Sequence, residues 1–191
     1  RIEARLMTSA YSDAMLDYAD IKVKVVPEVP DALDQILAHY EAALEDDPEN
    51  ITLLSGYSFA QWYNFDSEGA IVTLEQLLAL EPDNLYGLTL HGNNEFFLED
   101  QETGEADFAR AIELEPDSPD IYFIMADGYL YGLGDLEQSL EAVTTATEMG
   151  LDTPRTDAIL ATCYFYMGDV EQALTYYTKH IERTTMEIVE G

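Results

Sequence analysis

The chain contains few basic residues and a single cysteine. Lysine and arginine together number 8 against 39 aspartates and glutamates, so its 191 residues carry a formal net charge of −31. Because phosphate groups are bound mainly by lysine and arginine, this balance excludes a general nucleic-acid-binding protein and disfavours an anionic membrane surface. The acidity is typical either of a solvated exterior or of an acidic binding surface, and the scarcity of lysine also fits a saline setting.

The cysteine content and the lack of a long apolar run bear on where the protein resides. Cys163 cannot form an intrachain disulfide and lies at a small-residue position of a predicted helix, so we expect it to be buried. No run of about 18 or more apolar residues occurs, so no membrane-spanning segment is predicted. We expect a soluble protein, either cytoplasmic or exported, and the sequence leaves the compartment open.

Sequence signatures of catalysis are also missing. There is no glycine-rich phosphate loop, no His-Glu-x-x-His motif, no cysteine pair and no Gly-x-Ser-x-Gly elbow. His39, His91 and His180 occupy unrelated helix positions, which favours partly exposed residues over ligands. We therefore predict a protein that is not an enzyme and needs no cofactor.

One acidic cluster is a weak candidate for a Ca²⁺ site. Glu99, Asp100 and Glu102 could offer several oxygen ligands. Their spacing does not match an EF-hand loop, in which ligands alternate before a glycine and a distal glutamate. The pattern favours a polar turn whose acidic residue caps the next helix.

A regular repeat is the strongest positive feature of the sequence. Pro48, Pro82 and Pro116 recur at steps of 34 residues and close the similar phrases ALEDDPEN, LLALEPDN and AIELEPDS. Such a period is typical of stacked helical units that bury their apolar faces against one another. Small residues recur as well, at Gly56, Gly92 and Gly128 in first helices and at Ala70, Gly104, Ser139 and Ala173 in second helices.

Helix boundaries are marked by capping residues. Asn50, Asn84 and Ser118 precede predicted helices and are expected to act as N-caps. Pro154 stands at a predicted first helical position, where its missing N–H is not needed. Apolar residues within the helices follow a helical spacing, as in Ile71, Leu74, Leu77 and Leu78.

These features together resemble the tetratricopeptide repeat family. The clearest copy is the phrase YMGDVEQAL, which begins at Tyr166, with Tyr177 following Ala173 by one helical turn. The resemblance covers roughly residues 30–183. It implies an all-α fold, a right-handed α-solenoid of antiparallel helix pairs that forms a tetratricopeptide repeat superhelix.

The repeat predicts a single array of about five units, the first of them degenerate. The unit at 119–153 is one residue longer than the two before it, because its turn Gly132-Leu133-Gly134-Asp135 is extended. The predicted segments are the end of a preceding helix at 1–11, a degenerate unit at 12–50, repeat units at 51–84, 85–118, 119–153 and 154–184, and a tail at 185–191.

The resemblance also implies a partner-binding groove lined by the first helix of each unit. Adjacent large apolar residues recur at the ends of these helices, with one member of each pair expected in the core and the other in the groove; the alternative is that both are packed. The predicted partner-binding residues are Phe59, Trp62, Tyr63, Asn93, Phe96, Phe97, Phe123, Asp127, Tyr131, Phe165 and Tyr166.

The groove chemistry favours a protein or peptide partner that is basic or rich in aromatic residues. The family's clamp for C-terminal carboxylates needs basic residues, and only Asn93 matches it. We predict a non-catalytic protein–protein interaction scaffold with an acidic, aromatic-lined groove. The alternative is a structural protein that stacks end to end into oligomers or filaments, and the alternating stretch 21–26 could instead dock as a strand on a neighbour.

Overall fold

The computed structural model describes residues 32–190, with side chains for residues 33–184. The predicted helix end at 1–11, the first helix of the degenerate unit and the alternative strand at 21–26 lie outside the described residues. The described part contains helices and no strand. The helices are α1 (Ala32–Asp46), α2 (Ile51–Tyr63), α3 (Ser67–Leu80), α4 (Leu85–Phe97), α5 (Gln101–Leu114), α6 (Pro119–Asp127), α7 (Leu136–Glu148), α8 (Pro154–Met167) and α9 (Val170–Glu190).

Successive helices pack against one another, and α4 also packs against α6 and the segment that continues it. This arrangement confirms the predicted all-α solenoid of helix pairs. The core is continuous through the central and C-terminal pairs, where Phe108, Ile121 and Val143 are fully buried. These helix pairs therefore share one core, as a stacked repeat requires.

The predicted small positions lie where neighbouring helices pack tightly. Ala70, Ser139 and Ala173 are buried. Gly92 of α4 faces Gly104 of α5 so closely that a Cβ on Gly92 would lie 2.9 Å from the Gly104 carbonyl oxygen. Glycine is needed here because the two backbones leave no room for a methyl group.

A left-handed residue followed by an aspartate N-cap closes the turn inside each described helix pair from α2 onward. After α2, Phe65 has φ 61° and Asp66 donates its N–H to the Gln61 carbonyl over 3.0 Å. This is the hydrogen bond of a Schellman motif, which satisfies a carbonyl at the helix end. The equivalent residue pairs are Glu99 and Asp100, Gly134 and Asp135, and Gly168 and Asp169.

The extra residue of the unit at 119–153 is absorbed as a π-helical segment. Helix α6 continues without a break into Gly128–Leu133, which is wound as a π-helix. The N–H of Asp135 consequently reaches the Tyr129 carbonyl, at 2.8 Å, one residue further back than in the other turns. A π-bulge adds one residue to a helix without changing the rest of the repeat.

The N-cap residues are largely those predicted from the sequence. Asn50 and Asn84 accept hydrogen bonds from the N–H groups of Leu53 and Gly87, at 3.1 and 2.8 Å. Ser118 occupies the N-cap position, but its side chain makes no capping hydrogen bond. Pro154 is the first residue of α8, as predicted.

Cys163 is fully buried, as expected for a packing residue, and burial raises the pKa of its thiol.

His91 differs from expectation, because it is buried and its Nδ1 lies 2.6 Å from Oδ2 of Asp107. Burial lowers the pKa of His91, but the hydrogen bond and charge of Asp107 outweigh it and leave the pKa raised. In the described part of the chain, no helix is long and apolar enough to cross a membrane.

Candidate protein-interaction surface

Several of the predicted partner-binding residues lie inside the fold. Phe96 is fully buried, with its ring centroid 4.7 Å from that of Tyr129 and 5.5 Å from that of Phe108. Asn93 is also buried, and its Nδ2 donates a hydrogen bond to the Ile124 carbonyl over 3.1 Å. Phe59, Phe123 and Asp127 are buried as well. In this structure these five residues hold neighbouring helices together.

The remaining predicted residues reach the surface at the C-terminal ends of the first helices. Trp62, Tyr63 and Phe97 are half-buried at the ends of α2 and α4. Tyr131, Phe165 and Tyr166 have 55%, 54% and 69% of their area exposed. We call this set the aromatic edge; its members are Trp62, Tyr63, Phe97, Tyr131, Phe165 and Tyr166. It recurs in the described helix pairs from α2 onward because the same position of each first helix lies beside the same turn.

A cleft of about 580 Å³ opens at one end of the aromatic edge, between the α2–α3 turn and the end of α4. We call it the turn cleft; its lining residues are Trp62, Tyr63, Phe65, Asp66, Ser67, Glu68, Phe97 and Leu98. Phe65 and Leu98 were not among the residues predicted from the sequence, because both lie just beyond the end of a helix. The signal for Phe65 was available, since it precedes Asp66 just as Gly168 precedes Asp169.

A partly buried charge pair lies between α6 and α8. The Oδ1 atom of Asp127 is 3.6 Å from Nη2 of Arg155. The Arg155 guanidinium carbon lies 5.2 Å from the centroid of the Phe123 ring. Burial raises the pKa of Asp127 to about 6, although the positive charge of Arg155 acts in the opposite direction. Arg155 thus fixes α8 against α6 through both a charge and an aromatic face.

The weak Ca²⁺ candidates have structural positions. Asp100 caps α5: its Oδ1 accepts from the Thr103 N–H at 3.1 Å, and its Oδ2 accepts from the Thr103 hydroxyl at 2.9 Å. These hydrogen bonds lower the pKa of Asp100. Glu99 is the left-handed turn residue and Glu102 lies in the first turn of α5. Among the described residues, no three His, Cys, Asp or Glu side chains are grouped so that they could hold a metal ion.

Comparison with known proteins agrees with the fold. The model of the tetratricopeptide repeat family matches residues 159–183, which cover most of α8 and the first part of α9. No curated protein matches the sequence.

Solved structures of tetratricopeptide repeat proteins are similar to this chain over most of its length. A thermophilic member from Thermus thermophilus is 20% identical, with a TM-score of 0.68 over 90% of this chain and 93% of that chain. A member from Parabacteroides merdae is also 20% identical, with a TM-score of 0.68 over 95% of this chain and 80% of that one. The resemblance predicted from the repeat is therefore confirmed, and the fold is a tetratricopeptide repeat superhelix.

A further similar structure is MamA from Desulfovibrio magneticus RS-1. It is 15% identical, with a TM-score of 0.60 over 88% of this chain and 94% of that chain. At this identity the similarity concerns the fold alone.

Proposed function

We propose that the protein is a non-catalytic protein–protein interaction scaffold that binds its partner along the aromatic edge. The observation that carries this proposal is the repetition of large aromatic side chains at the surface end of every first helix from α2 to α8. Tyr131, Phe165 and Tyr166 each leave more than half of their area in solvent. Aromatic side chains supply a large share of binding energy at protein interfaces, because they bury much area at a small entropic cost.

The charge distribution supports a basic partner. All four basic side chains in the described part already lie beside carboxylates. They are Arg110, Arg155, Lys179 and Arg183. The remaining surface is dominated by unneutralised carboxylates in a chain of net charge −31. A partner that carries lysine or arginine next to apolar residues would therefore be attracted and correctly oriented.

A displayed random-peptide library tests this proposal even though the partner is unidentified. The bait is the intact chain, and the test variant combines Tyr131→Ser, Phe165→Ser and Tyr166→Ser. The matched control carries Val72→Ser and Leu80→Ser, which remove exposed apolar side chains of α3 outside the aromatic edge. We expect selected peptides to bind the intact chain and the control and to lose affinity for the test variant. Equal binding by all three proteins would exclude Tyr131, Phe165 and Tyr166 from the binding surface and contradict binding along the full length of the aromatic edge.

A specific observation also favours self-assembly as a second function. Val170 and Leu174 of α9 are largely exposed, and they lie next to the exposed Met167 at the end of α8. Exposed apolar residues clustered on one helix pair are suited to contact with another copy.

Light scattering coupled to size exclusion distinguishes the two functions. If the array stacks end to end, the mass will rise with protein concentration and with added salt that screens the negative charge. The double variant Val170→Ser and Leu174→Ser would then remain a monomer. A wild-type monomer at every concentration and salt level would rule out self-assembly and leave the scaffold proposal standing.

A further inference from the structure

The turn cleft joins the inner turn of one helix pair to the first helix of the next pair. Its apolar walls come from Trp62 and Phe65 on one side and from Phe97 and Leu98 on the other. Its volume of about 580 Å³ lies within the range of pockets that hold small ligands or single side chains. Leu98 leaves 44% of its area in solvent and Phe65 leaves 89%.

Phe65 has two properties that the fold alone does not require. Its backbone is left-handed, with φ 61°, a conformation that is unfavourable for a residue with a bulky side chain. Its ring is almost entirely exposed, so it adds little to the core of the isolated chain. The equivalent turn positions hold Glu99, Gly134 and Gly168. Backbone strain at an exposed aromatic residue is an observation that points towards function.

The electrostatic character of the turn cleft restricts what can occupy it. Asp66 and Glu68 are exposed carboxylates in its lining, and the lining contains no basic residue. Glu99 and Asp100 follow directly after Leu98 and are also exposed. A second copy of this chain would bring like charge to the cleft, whereas lysine or arginine would neutralise these carboxylates.

We infer that the turn cleft binds an apolar side chain of a partner's peptide segment, with lysine or arginine residues beside it that contact the cleft's carboxylates. This inference rests on the proposed scaffold function and gives it a particular site and ligand chemistry. Phe65 and Leu98 are the residues that would close over the apolar side chain. The position of the Asp66 side chain is fixed, because it is the N-cap of α3 and its Oδ1 accepts the Gly69 N–H over 3.0 Å.

The chain carries its own reporter for this site. Trp62 is its only tryptophan and lines the turn cleft, so its fluorescence reports occupancy directly. The probe is an acetylated, amidated peptide KKLFLKK, which contains no tryptophan or tyrosine. Two control peptides are KKAAAKK, which keeps the charge and loses the apolar residues, and EELFLEE, which reverses the charge. Titrations at physiological salt weaken binding that depends on net charge alone.

Three variants give the inference a clear outcome. Phe65→Gly and Leu98→Ser each remove one apolar wall without changing the charge, and Val72→Ser removes an exposed apolar residue elsewhere. We expect KKLFLKK to shift the Trp62 emission and to bind each cleft variant at least about ten-fold more weakly than wild type, as for a residue at an interface hot spot. Val72→Ser should bind like wild type, and both control peptides should bind weakly or not at all.

Three results would overturn the inference. They are the absence of KKLFLKK binding to the wild type, equal binding of KKAAAKK, and equal affinities of the cleft variants and Val72→Ser. Thermal melts of each variant confirm that the protein tested is folded. The scaffold proposal is judged separately by the library selection, because its test variant leaves every residue of the turn cleft intact.

Discussion

Phe65 and Gly168 occupy the same place in their repeats and adopt the same left-handed backbone, with φ of 61° and 88°. Glycine has this conformation at no steric cost, whereas a residue with a Cβ loses about 1–2 kcal/mol. Glu99, with φ 64°, is in the same position as Phe65. Two of the four described turns of this type therefore carry a residue that disfavours their conformation.

We predict that replacing these two residues with glycine stabilises the protein. Phe65→Gly and Glu99→Gly should each raise the free energy of unfolding by about 0.5–1 kcal/mol, since the lost strain exceeds the added entropy of the unfolded chain. Thermal or urea unfolding measures the change. Gly168→Ala is the reverse control and should lower stability. A less stable Phe65→Gly protein would show that the phenylalanine ring contributes packing that its exposure does not indicate.

The contact between Gly92 and Gly104 leads to a second prediction. A Cβ on Gly104 would lie 2.8 Å from the Gly92 carbonyl oxygen and would also meet the ring of Phe96. Alanine is normally about 1 kcal/mol better than glycine inside a helix. Gly104→Ala should nevertheless destabilise the protein by about 1–3 kcal/mol, because α4 and α5 must move apart. Urea unfolding measures this, and a stabilised variant would mean that the two helices can separate freely.

The buried carboxylate of Asp127 makes stability depend on pH. Its pKa of about 6 lies above the ordinary value of 3.8, so the folded protein holds this proton more tightly than the unfolded chain does. Stability from this group is fully present below about pH 4 and is lost as the pH rises to about 6, by up to about 3 kcal/mol. Asp127→Asn should remove this dependence between pH 4 and 6.

Urea unfolding at a series of pH values from 4 to 7 measures the effect of Asp127. Asp117→Asn removes one exposed carboxylate and serves as the matched control for the loss of a charge. If Asp127→Asn and Asp117→Asn have the same pH dependence as the wild type, Asp127 is not the group responsible.

A repeated ion pair suggests a way to add stability. Arg110 of α5 lies 2.7 Å from Asp83 in the preceding turn and 2.9 Å from Glu113. Lys179 of α9 likewise lies 2.8 Å from Asp152 in the turn before α8. At the equivalent position of α7 the chain has Thr145, with Asp117 and Glu148 in the places of the two acidic partners.

Thr145→Arg should therefore raise the melting temperature by a small amount, since exposed pairs contribute little and are weakened by salt. Gln138→Arg adds the same charge to an exposed position of α7 and is the control. The gain of Thr145→Arg over Gln138→Arg should be greatest in low salt. Identical melting curves for the two variants would indicate that only the change in net charge matters.

Most of the fold could be predicted from the sequence, because the same local signals recur in successive units. The prolines at steps of 34 residues, the small residues at helix contacts and the asparagine caps are each local signals, and the structure places them as expected. The extra residue of the unit at 119–153 was also visible. Its π-helical conformation could not be predicted, because a longer turn and a π-bulge both add one residue to the sequence.

Which residues form the surface was harder to predict from the sequence, for a physical reason. Adjacent aromatic residues such as Phe96 and Phe97 are alike in chemistry, and only the packing of Phe108 and Tyr129 decides that Phe96 is in the core. His91 was misjudged in the same way, since its partner Asp107 lies on the next helix. The left-handed backbone and exposure of Phe65 belong to a turn, and the sequence indicates them only through its place directly before Asp66, which matches that of Gly168 before Asp169.

Hydrogen exchange with a bound ligand tests the scaffold most directly. The ligand is a peptide selected from the library on the intact chain, and exchange is followed by mass spectrometry with and without it. We predict slower exchange at the C-terminal ends of α2, α4, α6 and α8 and in the turns that follow them, with little change in α3, α5 and α7. Protection confined to these second helices, or no protection anywhere, would contradict binding along the aromatic edge.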